Sequence, residues 1–232
     1  MLLFLLIAII LFYIFAFRIK WRDLLPIFLN PLIQKIPPYI TPNHISLFGF
    51  LFVFITGLFI YLAKTNLYFW LWAAFFMFLY AIIDNLDGIL ARARNQVTKS
   101  GSFLDYTLDK ISYQVLLFSL ILGGHLRTEL VVISMLSSLF YALINVESQA
   151  LIGSTAPLAE RPRWLILAII LCVIAFSIKV FGAESLNLWS IEIQSFDALF
   201  VILPIYQIST IYFRSISLWK ELRSIDQQGQ LF

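Results

Sequence analysis

Cysteine, histidine and charge are all scarce in this chain. Its 232 residues include one cysteine and two histidines, and charged side chains make up 12% of the total. The lone Cys172 excludes an intramolecular disulfide framework, and its place inside an apolar run reads as a small buried hydrophobe. His44 and His125 are isolated, so no Cys/His set with zinc spacing exists. Each histidine reads as an interfacial or capping residue, and the two fall at opposite membrane faces. The shortage of charge excludes an ordinary soluble domain, in which about 25% of residues are charged. No internal repeat, low-complexity tract or soluble domain is present.

What the chain has in abundance is apolar length. Hydrophobic residues make up 61% of it, and the mean hydropathy is +0.92. The apolar runs are long and unbroken, as membrane helices require, whereas an outer-membrane barrel would show short alternating segments. The fold class is therefore an all-α integral membrane protein. Residues 2–17 form a first run, short for a crossing, with neither a basic leader nor a small-residue cleavage site. Residues 1–19 are thus either an extra transmembrane helix or a hydrophobic anchor. Residues 20–40 mix Lys20, Arg22, Asp23 and Lys35 with apolar residues and four prolines, which suits an amphipathic segment on the membrane surface.

Thr41 and Pro42 then give a helix start, as N-cap and first helical residue. Six spans follow, near 44–63, 67–93, 101–124, 129–151, 164–182 and 197–218, as one domain over 41–218 with a tail at 219–232. If the second span ends in the cytoplasm, thirteen of the sixteen Lys and Arg residues lie on that side. Only Lys64, Arg127 and Lys179 lie opposite, so the basic bias of the short loops fixes the orientation. The membrane is then a bacterial or archaeal cytoplasmic membrane, or an endomembrane.

Against this background, residues 81–110 hold four acids, Asp84, Asp87, Asp105 and Asp109. Residues three or four apart share a helix face, so each pair projects from one side of its helix. The two helices are expected to be antiparallel neighbours, with both pairs at the cytoplasmic interface. Carboxylates this close must be protonated, paired with Arg or Lys, or bridged by a metal. An all-oxygen set favours hard cations such as Mg²⁺, Mn²⁺ or Ca²⁺. Gly88 and Ala91 follow the acids by one turn and leave their face open, Gly101 opens the next helix, and Arg92 is placed to meet an anion. Metal, small residues and arginine together suit a phosphate or diphosphate ligand. Ionisable residues inside a membrane helix are functional candidates by default.

Written as a pattern, these residues give D-x2-D-G-x2-A-R-x8-G-x3-D-x3-D, from Asp84 to Asp109. The pattern resembles the signature of the CDP-alcohol phosphotransferase family at every fixed position, and the wider similarity runs over about 36–218. The resemblance implies a transferase that moves a phosphatidyl-type group from a CDP-linked lipid to a polar alcohol and releases CMP. It also implies a two-metal centre of Mg²⁺ or Mn²⁺ on Asp84, Asp87, Asp105 and Asp109, with Asp109 as general base. Asp84, Gly88, Ala91, Arg92, Gly101 and Asp105 would form the CDP site, with Asn43 at its nucleotide end.

The acceptor side is less defined. Arg161 and Arg163 resemble the E-R-x-x-R stretch of members that take phosphorylated acceptors, but the second arginine comes one residue early. Glu147 is a further acceptor-side candidate. Two other readings compete with the leading one. The first is transfer from a CDP-alcohol to diacylglycerol, and the second is a cation transporter using the acids as an ion path. The outer halves of the two acid-bearing spans are almost free of polar residues, which disfavours transport. A homodimer is an expectation from the resemblance, and no nucleic-acid polymer is expected as a partner.

Overall fold

The computed structural model describes residues 29–152, 163–182, 185–188 and 191–229. The N-terminal hydrophobic run, the first part of the amphipathic segment and Arg161 lie outside these residues. After a short helical turn at 29–33 come α1 (Pro42–Leu62), α2 (Phe69–Ala93), α3 (Lys99–Leu122), α4 (Thr128–Ile152) and α5 (Arg163–Val180). A hairpin of β1 (Ser185–Leu188) and β2 (Ile191–Gln194) leads to α6 (Ser195–Phe200) and α7 (Ile202–Gly229). Among the described residues, α1, α2 and the Thr128–Ser148 part of α4 are long and apolar enough to cross a membrane. The protein is an integral membrane protein.

Local chemistry explains where the helices begin and end. Thr41 Oγ1 accepts from the His44 N–H at 3.4 Å, and His44 Nδ1 accepts from the Thr41 N–H at 3.3 Å. This reciprocal cap, followed by Pro42, starts α1 where the sequence places it and assigns His44 the capping role. At the other end of α1, His125 Nε2 donates to the Ile60 carbonyl at 2.7 Å. The two histidines therefore mark opposite ends of the bundle. α3 starts on Thr98, whose hydroxyl accepts from the Gly101 N–H at 3.0 Å.

α2 stops because Asn95 turns left-handed, with φ of 55°, and the Gln96 N–H reaches back to the Ala91 carbonyl at 2.8 Å.

Two departures from the sequence reading concern the last third of the chain. The segment after α5 is an antiparallel hairpin, with Ser185 paired to Gln194 and Leu188 to Ile191, so the chain is not purely helical. The sixth expected span breaks at Val201 into α6 and α7. Pro204 lacks the N–H that would bond the Phe200 carbonyl, so a continuous ladder through this point is impossible. α7 then runs on to Gly229, well past residue 218.

α1 organises the packing, because it lies closely on both α2 and α3; α2 also packs on α5, and α4 on α7. Close approach needs small residues where backbones meet. A Cβ on Gly49 would come within 2.8 Å of Ile83 Cγ2 on α2, and one on Gly57 within 2.5 Å of Ser119 Oγ on α3. The larger core, around Val53, Trp70, Met77, Leu116 and Phe200, fills the end away from the aspartates. A smaller one at the aspartate end joins Leu29 and Ile33 to Ile45, Leu86, Ile89 and Leu90. A stripe of exposed side chains along α1, including Leu47, Leu51, Phe54 and Leu58, faces outward as lipid-exposed positions do.

Candidate active site

The signature residues fall on the last turns of α2, the short connection after it and the first turns of α3. Asp84 and Asp87 lie on α2; Asp105 and Asp109 lie on α3. Their exposures differ. Asp87 is 5% exposed, whereas the other three are half-buried, Arg92 is exposed and Ala91 and Gly101 are half-buried. A carboxylate as deeply buried as Asp87 requires partners. Ser46 of α1 supplies one, donating its hydroxyl to Asp87 Oδ2.

α2 and α3 are not a closely packed pair, contrary to the expectation of adjacent antiparallel neighbours; each packs instead against α1. Like-charged faces separate more readily than apolar ones, and the long side chain of Tyr80 spans the space between them. Its hydroxyl donates to Asp109 Oδ1 at 3.3 Å and accepts from Ser112 Oγ at 3.2 Å. Tyr80 is 3% exposed, and its bond to Asp109 joins α2 to a carboxylate of α3. Among the described residues, no three acidic, histidine or cysteine side chains close into a cation-binding set. Asp84 and Asp87 near the end of α2 and Asp105 and Asp109 near the start of α3 share one end of the molecule.

Other predicted residues are brought into the same neighbourhood. A Cβ added to Gly101 would lie 3.2 Å from Asn43 Oδ1 and 3.0 Å from Thr98 Oγ1. Asn43, at the start of α1, therefore sits against the glycine that opens α3. On the acceptor side, Glu147 is exposed near the end of α4, and Arg163 opens α5.

Sequence reasoning missed four residues that the fold brings to this end: Ser46, Tyr80, Arg94 and Arg214. Tyr80 stands four residues before Asp84, so helical spacing alone could have marked it as sharing that face. Ser46 is a polar residue in an otherwise apolar helix, a weaker signal. Arg214 donates from α7 to the buried Ser148 Oγ at 2.8 Å, a pairing across 66 residues that no local pattern encodes. Arg94 reaches the segment before α1, donating to the carbonyls of Ile36, Pro37 and Ile40.

The groups gathered at this end, carboxylates backed by hydroxyls, are of the kind a hard divalent cation takes. The missing side chain at Gly101 lets the Thr98 and Asn43 side chains lie against the start of α3, where a Cβ would press on both.

Comparison with known proteins identifies the family and the fold. The chain is 30% identical over 158 residues to archaetidylinositol phosphate synthase of Pyrococcus horikoshii, covering 67% of this chain and 78% of that one. In fold it resembles Mycobacterium tuberculosis phosphatidylinositol phosphate synthase with CDP-DAG bound, at a TM-score of 0.59 and 19% identity, over 82% of this chain and 92% of that one. The same mycobacterial enzyme in complex with manganese and citrate aligns at a TM-score of 0.56 and 21% identity, over 78% and 83% of the two chains. The model of the CDP-alcohol phosphatidyltransferase family matches residues 39–202, the span that holds every residue of the signature, and the chain belongs to that family of membrane phosphotransferases.

Proposed function

We propose that this enzyme transfers a lipid-phosphate group from a CDP-linked lipid, CDP-diacylglycerol or an ether-lipid equivalent, to a phosphorylated polyol, releasing CMP. The observation that carries the reading is the hydrogen bond from Tyr80, one turn before Asp84, to Asp109, with Asp87 held by Ser46 and Asn43 set against Gly101. The names of the relatives, and Arg214 held at Ser148 as a cation at the aspartate end, support inositol phosphate as the acceptor. Arg163, the first residue of α5, is a further acceptor-side candidate in the same reading, as is Arg161 from the sequence pattern.

In the reaction, the acceptor hydroxyl oxygen bonds to the lipid-bearing phosphorus while the bond from that phosphorus to the CMP oxygen breaks. The hydroxyl proton passes to the Asp109 carboxylate, since an alcohol is a weak nucleophile until a placed base takes its proton. Tyr80, fixed by Ser112, orients that carboxylate through its own hydrogen bond. Arg92 meets the diphosphate, and Gly88, Ala91 and Gly101 leave room for the cytidine diphosphate, with Asn43 toward its nucleotide end. Asp84, Asp87, Asp105 and Asp109 would hold the divalent cations, and a bound Mg²⁺ or Mn²⁺ pair neutralises the charge developing on the diphosphate and the leaving CMP. The aspartate end faces the cytoplasm, the side that carries thirteen of the sixteen basic residues. A bundle of membrane helices then lets a lipid donor enter sideways while a polar acceptor arrives from water.

The test is CMP release by the purified protein with CDP-diacylglycerol, Mn²⁺ or Mg²⁺ and a panel of inositol 1-phosphate, glycerol 3-phosphate, inositol and serine. Release should be strongest with inositol 1-phosphate, stop with EDTA, and fall by about 10²–10⁴-fold in Asp109→Asn. Release only from CDP-choline with diacylglycerol would reverse the donor assignment, and no metal-dependent release from any pair would overturn the reading.

A further inference from the structure

Pro37 and Pro38 interrupt the segment that leads into α1, and a helical hydrogen-bond ladder cannot continue through them. Carbonyls near such a break need donors from elsewhere. Arg94 supplies them. Its Nη1 donates to the Ile40 carbonyl at 2.7 Å, and its Nη2 to those of Ile36 at 2.6 Å and Pro37 at 3.3 Å. The Pro37 carbonyl also accepts from the Ile40 N–H at 3.1 Å. Arg94 is the C-cap of α2, so the left-handed turn at Asn95 that ends the helix also fixes the base of this side chain.

The clamp joins the two elements that carry the site. Beyond it, α1 brings Asn43 against Gly101 and Ser46 to Asp87; behind it, α2 carries Asp84 and Asp87. Leu29 and Ile33 pack against Ile45, Leu86, Ile89 and Leu90, so the tethered segment also rests on the back of α2.

We propose that Arg94 is a positioning residue for the transfer reaction: it locks residues 36–40 onto the end of α2 and thereby holds Asn43 and Ser46 in register with the aspartates. It sets affinity for the CDP-linked donor without contacting that donor. This rests on the transfer reading above. Lysine is a poor substitute, because one ammonium on a flexible stem does not reproduce a planar fork that serves three carbonyls.

Two measurements on the full chain test the clamp. The first is the distance distribution between spin labels at Tyr39→Cys and Val97→Cys in a Cys172→Ala background, both positions being exposed at 77% and 65%. It should be narrow with Arg94 and broad in Arg94→Gln. The second is steady-state CMP release from CDP-diacylglycerol with inositol 1-phosphate, in which Arg94→Gln should raise the donor KM by about tenfold and leave kcat within roughly twofold. Arg94→Lys should recover only part of either effect, and it carries the comparison if Arg94→Gln does not fold. An unchanged label distance, or a broadened distance with an unchanged donor KM, overturns the proposal. If the protein with Arg94 intact releases no CMP, the transfer reading fails separately. The clamp is then decided by the label distances and by direct binding of CDP-diacylglycerol, where equal affinity with and without Arg94 overturns it.

Discussion

The polar side chains of this protein matter through the partners that other helices bring to them. Tyr80 is the clearest case: its hydroxyl reaches from α2 to both Ser112 and Asp109 of α3. Tyr80→Phe keeps the ring and removes only that link. A buried hydrogen bond to a charged group contributes about 1.5–3 kcal/mol, so kcat for CMP release should fall by roughly 10–100-fold. An unchanged kcat would remove Tyr80 from the account. His125 offers a test in pH. Burial holds its imidazole below the usual value of 6.5, Lys179 and Lys64 push the same way, and the Ile60 carbonyl opposes them. The folded state therefore favours the neutral ring, and the unfolded chain binds the proton more readily. This contribution is fully present above pH 6.5 and is lost as the pH falls below it. The melting temperature in detergent should decline from pH 7 towards pH 5, and His125→Gln should flatten that decline.

Helix ends were legible in the sequence because they depend on neighbours within a few residues. Thr41 with Pro42 named the start of α1, and the signature spacing placed the aspartates on helix faces. Helix-to-helix distances were not legible. α1 touches both α2 and α3 because Gly49 and Gly57 have no side chain at the two points of closest approach. Gly57→Ala would put a Cβ 2.5 Å from Ser119 Oγ, with Val115 Cγ1 at 3.6 Å. Ser119 already donates to the Val115 carbonyl, so it cannot swing away without losing that bond. Overpacking of this kind costs about 1–3 kcal/mol, and a lower midpoint in denaturant titration of the purified protein should report it; an unchanged midpoint would mean that α3 moves aside freely. The break at Val201 has a local cause in Pro204, yet no short-range signal marked the hairpin ahead of it. The side chain of Asp197 accepts from the Arg127 N–H at 3.1 Å, tying α6 to the start of α4 across 70 residues.

At the scale of the whole molecule, the aspartate end and the His125 end lie at opposite ends of α1, and a membrane-impermeant thiol reagent can assign them to sides. In a Cys172→Ala background, Val97→Cys should be labelled only when the cytoplasmic face is accessible, and Gly124→Cys only from the other face. Labelling of both from one side would refute the orientation. The sequence by itself determined the membrane class, the helix faces and the identity of the acid motif, because hydropathy and a 3.6-residue period act over a turn or a span. Tertiary structure alone decided that Ser46 serves Asp87, that Tyr80 bridges to Asp109 and that Arg94 holds the segment before α1. Each of these contacts joins residues 29 to 58 positions apart. At such separations no periodicity relates one residue to the other, and only helix packing sets which donor reaches which acceptor.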